Sequence, residues 1–503
     1  MGMRITNQMV TGGSLRNMQK SMTQVNKYTT QMTTGKKITQ ASEDPVIAIR
    51  ALKLRTTVNQ LYQYKNKNIP DANSWLEITN TSMDNMAKRL TDIETYCVQG
   101  STDSFNSTDR SAIIDSLKQL QNMLYSEGDS TYAGRYIFSG FKTDRSLAFS
   151  ETEDVSKYSY DITQHFSPDA LDLKNSVLNS VDSSQLDKYI DGTATYEQPA
   201  PVQVYRLNLA YEGISGTGIK ISAKDANNNT VNLSGFGLSV KTTADADSYY
   251  DVAPNRINVI EETGELILGE NVYNYLKEHA ADIQVTYTKD EFEAGDLRPE
   301  HYFDCVQRID GVAKPVTYEM PEKGQKIFYE VNFNQSIQVN TEGNQIISED
   351  MSNNINDLVY TLQDLMDAEE TKSKLTSMLQ DEQYASNDKA VAQINRMLSD
   401  VDVEIAVKKE NLQKTFSANI SNFQGYMDVV TAMQSDLGSR MTKLNMVSVR
   451  VDEQYASFKE LKSENEDVET DQAIIDFNEA ELVYQSALAA TSNIMRTTLL
   501  DYL

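Results

Sequence analysis

The sequence predicts an α+β protein: a long antiparallel helical bundle or coiled coil formed by the N- and C-terminal segments, with mid-chain β-rich domains. Three observations carry this reading. Apolar residues in 1–140 and 350–503 recur at alternating three- and four-residue spacing, which marks one face of a helix. Seven of the nine prolines fall between Pro168 and Pro321, and none follows. Period-two alternation, suited to half-buried strands, recurs in that same middle region.

Leu15, Met18, Met22, Val25, Thr29 and Met32 form the first stripe, and Gly35 supplies its C-terminal stop. Ser42-Glu43-Asp44-Pro45 starts the next helix, with Asp44 as cap and Pro45 in the first turn, where a missing N–H costs nothing. Ile47, Ala51, Leu54, Val58 and Leu61 continue as one stripe, and Ile69 to Cys97 as another, with a break or kink expected at Pro70. A third helix starts near Ser107 and ends at Gly128-Asp129, and Arg135–Gly140 reads as a strand or hairpin.

In the middle, Val202/Val204, Ile219/Ile221, Ile257/Val259 and Ile283/Val285/Tyr287 alternate, separated by turns at Asn227-Asn228-Asn229 and Thr263-Gly264. They predict one or two compact, mostly antiparallel β domains. Helical spacing returns at Ile355, Leu358, Leu362 and Leu365, with a further helix near 385–415 and a stripe from Met433 to Leu461. Acidic Glu464, Glu466, Asp467, Glu469 and Asp471 suit the start of the final helix, whose positive dipole end favours carboxylates. The resulting division is 1–45, an N-terminal assembly helix and turn; 46–149 and 350–463, the two parts of a helical core; 150–349, the β-rich outer region; and 464–503, a C-terminal assembly helix.

With 503 residues the chain exceeds one ordinary core. Its net charge of -27 argues against a nucleic-acid backbone or an anionic membrane as main partner. Cys97 and Cys305 are far apart, so a disulfide scaffold is not expected, and Cys97 sits on an apolar stripe as a small hydrophobe. No apolar run approaches the roughly 20 residues of a bilayer span, and the N-terminus lacks the apolar core of a cleaved signal.

A search for chemistry finds little. His301 and Cys305 would share a face on a helix, but a metal needs more ligands than this pair. Gly213–Gly218 reads as a β-turn before Ile219, and Asp400–Glu404 as a solvated helix face rather than a calcium loop. No catalytic, cofactor or metal site is assigned. The outermost stripes are the exception to a plain core reading. Leu15, Met18, Met22, Val25 and Met32, with Phe477, Ala480, Tyr484, Ala487, Ile494, Leu499 and Leu500, lie in segments rich in Thr, Ala, Ser and Met that would bury little alone. Such isolated helices are marginal in water. They are expected to order against each other or against neighbouring copies, as an assembly interface.

Specific words sharpen this. Met32-Thr33-Thr34-Gly35-Lys36-Lys37-Ile38 with Ala41-Ser42-Glu43-Asp44-Pro45, then Ser107–Arg110 and Gly134–Gly140, resemble the N-terminal region of the flagellin superfamily of axial flagellar proteins. Asn465–Glu469, Tyr484–Leu488 and Leu499–Leu503 are similar to its C-terminal helix. Glu43-Asp44-Pro45, the final Leu-Leu-Asp-Tyr-Leu and Gly295–Phe303 look more like the members at the hook–filament junction than like filament flagellins. The resemblance implies a structural, non-enzymatic subunit without cofactors, extracellular and exported through the flagellar type III apparatus without a cleaved signal peptide. Its implied partners are a ring of like subunits, an adjacent hook-associated protein, flagellin, and an export chaperone on the C-terminal helix. The alternatives are a filament-forming flagellin paralogue, or a secreted adhesin or enzyme whose active module lies at 150–345.

Overall fold

The computed structural model describes residues 7–101, 106–243, 249–321 and 324–496. In chain order the elements begin with α1 (Asn7–Thr34), α2 (Pro45–Gln63), a π-turn (Tyr64–Asn68), α3 (Ile69–Gly100), α4 (Ser107–Gly128), β1 (Thr131–Tyr132) and β2 (Arg135–Tyr136). The middle holds β3 (Tyr158–Phe166), β4 (Asp172–Leu178), α5 (Leu186–Asp191), β5 (Ala200–Asn208), β6 (Ser215–Lys224), β7 (Thr230–Val231), β8 (Gly237–Lys241) and β9 (Arg256–Ile260). β10 (Glu265–Leu268), α6 (Glu270–His279), β11 (Asp282–Lys289), β12 (Asp304–Ile309), β13 (Val316–Tyr318), β14 (Phe328–Asn332) and β15 (Gln335–Gln338) follow. The chain closes with α7 (Glu349–Gln380), α8 (Glu382–Ala385), α9 (Asp388–Glu466) and α10 (Thr470–Arg496). Long helices at both ends thus enclose a mid-chain β region. Two compact units result: residues 1–73, 329–337 and 441–503, and residues 74–328 and 338–440.

In the first unit, α1 stops where Gly35 takes φ +67, a conformation without penalty only for glycine. Asp44 caps α2 by accepting from the Val46 and Ile47 N–H groups at 2.9 and 3.1 Å. The break expected at Pro70 is a π-turn just before it, in which the Ile69 N–H reaches back to the Tyr64 carbonyl. Proline has no N–H to continue the helical ladder, so the preceding turn widens instead. Leu61 and Ile69 are eight positions apart, which on an unbroken helix would rotate one about 80° from the other. The extra residue held in the π-turn cancels most of that angle, and both are buried.

The end of the chain differs from expectation. α9 runs unbroken for 79 residues, merging the separate helix expected near 385–415 with the 433–461 stripe. It contains no proline, and Gly425 and Gly438 sit in open positions that cost only about 1 kcal/mol each. Glu464 and Glu466 therefore close this helix rather than open the next, and Asp471 alone of the acidic run stands in the first turn of α10.

The helical part of the second unit buries the stripes read from sequence: Leu76, Met83, Met86, Leu90, Ile93 and Cys97 from α3, Leu117 and Leu124 from α4, and Ile355, Leu358, Leu362 and Leu365 from α7. Burial pushes the Cys97 thiol up to about 12, so it behaves as a small hydrophobe. A Cβ on Gly100 would meet the Phe416 ring at 2.1 Å, so these helices close only over a glycine.

The β region forms one body of two sheets. One has the order β13-β12-β3-β11-β6-β7 and the other β4-β5-β10-β9-β8, antiparallel apart from the β8–β9 pair. Tyr160, Ile162, Val285 and Tyr287 of the first share a core with Leu207, Val259, Leu266 and Leu268 of the second. Three local expectations are corrected here. Only Arg135-Tyr136 of the segment 135–140 is strand, while Ile137 and Phe138 turn into the core. Strand β6 already begins at Ser215, inside the glycine-rich run read as a turn. The helix face at 400–404 is not solvated throughout: Val401 is fully buried, and Glu404 accepts from the Val181 N–H and pairs with Lys408 at 2.9 Å. The residues around α5 pack there, which no local pattern announces.

Beside the hydrogen bonds from Asn353 of α7 to the Leu209 carbonyl and from Asn356 and Tyr360 to Glu212, two polar connections help to hold the β body in its unit. Arg206, nearly buried on β5, meets Asp357 of α7 at 2.5 and 2.8 Å, Glu265 at 2.8 Å and Asp172 at 3.1 Å. Burial alone would raise the Glu265 carboxyl, but Lys174 and Arg206 outweigh it and hold it at about 2. The second is Gly295–Phe303. Its backbone pairs with Leu147 and Phe149, the Tyr211 hydroxyl donates to the Leu297 carbonyl at 2.8 Å, and the fully buried Glu300 faces Arg145 at 3.1 Å.

Between these connections lies a polar chamber of about 200 Å³, lined by Tyr125, Glu212, Lys289, Asp296, Glu349 and neighbours. Burial raises the Glu349 carboxyl to about 7, with Asp350 adding to the shift. An acid whose folded pKa is raised contributes stability as pH falls from that value toward the unfolded one, and loses it as pH rises. The protein is expected to lose thermal stability as pH rises from roughly 4.5 to 7, and Glu349→Gln to flatten that slope and raise Tm above pH 7. Thermal unfolding across this range checks it.

Candidate functional site: the paired terminal segments

Two of the words on which the flagellin resemblance rested, Gly35-Lys36-Lys37 and Asn465–Glu469, fold together. Lys36 and Asp467 form an isolated antiparallel bridge just after α1 and just after α9. The Lys37 N–H donates to the Glu466 carbonyl at 2.8 Å, and the Val468 N–H to the Gly35 carbonyl at 2.9 Å. Only the positive φ of Gly35 lets the chain turn from α1 into this bridge at that carbonyl.

Charge completes the clasp. Arg55 of α2 grips Glu466 through Nε at 2.6 Å and Nη2 at 2.8 Å, a bidentate pair stronger than a single hydrogen bond. Lys36 lies 3.5 Å from the same carboxylate and bonds to Asp467. The Glu466 side chain is only 4% exposed, whereas Arg55 is 53% exposed. Hydrogen bonding from Arg55 holds the Glu466 carboxyl below its ordinary range, against burial, and Lys36 does the same for Asp467, helped by Ser463. Lys37 reaches the Glu464 carbonyl, and Asn465 donates to the Ile47 carbonyl at 3.2 Å.

From this clasp α1 and α10 pack along each other. The proposed interface residues distribute unevenly. Leu15, Met18 and Val25 are half-buried, whereas Met22 and Met32 remain exposed. On α10, Ala480 is buried and Phe477, Tyr484, Ala487 and Ile494 are half-buried, and Leu499 and Leu500 lie outside the described residues. Ala473 and Thr491 are buried on this helix as well. Sequence reasoning missed Lys36, Arg55, Glu466 and Asp467 as a unit. The available signal was the matching of a basic word, Gly35-Lys36-Lys37, with an acidic one, Glu464–Glu469.

Elsewhere, His301 is buried in a short turn, its Nε2 3.0 Å from the Ser146 carbonyl oxygen, and Cys305 lies on β12. Among the described residues no group of three or more His, Cys, Asp or Glu is placed to hold a metal ion. No described helix is long and apolar enough to cross a membrane.

Comparison with known proteins shows what each end resembles. Residues 5–143 match the bacterial flagellin N-terminal helical region, and residues 420–503 match the bacterial flagellin C-terminal helical region. Both ends of the chain are thus similar to the terminal helical regions of bacterial flagellins. Among individual relatives, it is similar to flagellar hook-associated protein 3 of Escherichia coli (strain K12), 28% identical over 156 residues, which are 30% of this chain and 47% of that protein. It is also similar to a flagellin of Clostridium tyrobutyricum, 29% identical over 118 residues, or 24% of this chain and 31% of that one. The chain thus spans about half the length, or less, of the curated relatives it matches. A solved structure of a putative flagellar hook-associated protein from Vibrio parahaemolyticus aligns over 84% of this chain and 100% of its own at 11% identity, with a TM-score of 0.34.

The clasp makes a direct prediction. Glu466→Gln keeps the shape but removes the charge, and is expected to cost about 1–2 kcal/mol, the lower part because solvent screens half-exposed Arg55. Because the Glu466 and Asp467 pKa values are lowered on folding, their contribution is present above the ordinary carboxylate range and is lost as pH falls through the folded values. Denaturant unfolding should therefore separate wild type and variant near neutral pH and bring them together in acid.

Proposed function

We propose that this chain is a structural subunit of the bacterial flagellum that joins the hook-side junction to the filament. Its support is the joining of the two flagellin-type terminal regions into one clasped unit, together with similarity to a hook-associated protein 3. Assembly proceeds by docking α1 and α10 against the corresponding helices of neighbouring subunits in a ring. α1 buries no side chain fully, and α10 exposes Ile475, Leu482 and Val483. Helices so lightly buried gain most of their stability from partners rather than from their own turns.

In this reading the protein is exported through the flagellar secretion apparatus, with a chaperone covering the C-terminal helix before assembly. Its neighbours are another hook-associated protein on one side and flagellin on the other. The division into assembly helices (1–45 and 464–503), helical core (46–149 and 350–463) and outer region (150–349) belongs to the same proposal.

A second reading, a filament-forming flagellin paralogue, is favoured by the flagellin match. Immunogold labelling with an antibody to the β body separates the two. A band at the filament base is expected, and label along the whole filament would overturn the junction role. Deleting about forty C-terminal residues, which removes α10, should leave a soluble β-containing subunit that no longer attaches filaments.

A further inference from the structure

Charge is sorted along this chain in a way that its helices turn into a surface. Residues 1–73 carry eleven Lys or Arg and three Asp or Glu, whereas residues 441–503 carry five and twelve. The first unit, with 16 groups of each sign, is neutral, and the net charge of -27 resides in the second. The sorting is sharpest on α1 and α10. Residues 7–42 contain no acidic residue, and the first half of α10 contains no basic one.

Arg16, Lys20 and Lys27 fall within about 40° of one line on α1, opposite the face of Met18 and Val25 that packs within the unit. All three are exposed and none forms an ion pair with a described residue, although the field of Lys27 reaches Glu43. On α10 the outward face, opposite buried Ala473 and Ala480, presents Asp471, Ile475, Glu479 and Leu482 within about 80°. Ile475 is 55% exposed and Leu482 65% exposed. Asp471 and Glu479 are exposed too, and neither forms an ion pair with a described residue. Each stripe spans eleven residue steps, about 16 Å of helix.

We infer that the outward face of α10 is a docking surface for the outward face of α1 from a second copy of this chain. The methylene stems of Arg16, Lys20 and Lys27 cover Ile475 and Leu482 while their charged heads reach Asp471 and Glu479, the usual way long cations bury apolar surface. The α1 of the same chain cannot do this, because it already occupies the opposite face of α10. The contact is heterologous, so it propagates from copy to copy and closes only as a ring or continues as a helix. It rests on the assembly role proposed above, and supplies the chemistry by which one copy recognises the next.

Salt alone does not test the idea, since screening also relieves repulsion between the acidic second units. Charge exchange does. Full-length Arg16→Glu/Lys20→Glu/Lys27→Glu and Asp471→Lys/Glu479→Lys variants, checked for native circular dichroism, are compared with wild type by sedimentation velocity. Each is expected to weaken self-association about tenfold or more, because like charges then face each other. Mixing the two variants restores complementary faces, and association is expected to return. Either variant associating like wild type, a mixture no better than its parts, or a wild type that stays monomeric would overturn the inference. The proposed function fails on a different result, the absence of immunogold label at the filament base.

Discussion

Everything in the first unit depends on one buried carboxylate. Glu466 lies at the end of a 79-residue helix, and taking it out of water is favourable only while Arg55 and Lys36 stay beside it. Those cations come from residues more than 400 positions earlier. A helical stripe can slide by a heptad at modest cost, whereas a bidentate ion pair beside a two-residue bridge cannot. The clasp therefore sets the register of α1 against α10 more sharply than their sparse apolar contacts could. It also explains why the linker between α9 and α10 is short and acidic.

The second unit solves a different problem, holding its mid-chain region against helices through an apolar cluster around α5, where Val181 and Leu186 pack on Leu375, Ile394, Met397 and Val401, and through polar contacts elsewhere. The polar contacts include Arg206 bridging to α7, and Gly295–Phe303 threaded beside Leu147 and Phe149. Polar fastenings are directional, so they fix orientation. Their burial cost is met only when every partner is present. That satisfaction is incomplete in more than one place: the Tyr302 hydroxyl at the chamber and the Nδ1 of His301 in the Gly295–Phe303 segment have no hydrogen-bond partner among the described residues.

How much of this the sequence disclosed follows from the range of each interaction. The stripes from Leu76 to Cys97 and from Ile355 to Leu365, the cap at Asp44 and the stop at Gly35 were legible because each depends on residues within a turn or two. The terminal helices were legible as an interface candidate for the same reason. The unbroken passage of α9 was not, since 388–466 contains both a stripe and acidic residues that locally imitate a helix start. Glu404 was misplaced on a solvated face because its burial is supplied by Val181, more than two hundred residues away. Arg206, Arg55 and Glu466 were invisible as partners, for ion pairs across such separations leave no periodic trace.

The widened turn at Tyr64–Asn68 has a consequence for how this chain tolerates changes of length. A one-residue insertion in a long helix normally swings everything beyond it about 100° around the axis and scrambles its buried side. Here the surplus residue is absorbed within one turn, so Leu61, Ile69 and Ala72 all stay inside. The turn acts as a slack loop in an otherwise rigid rod, confining a change of length to the place where it occurs.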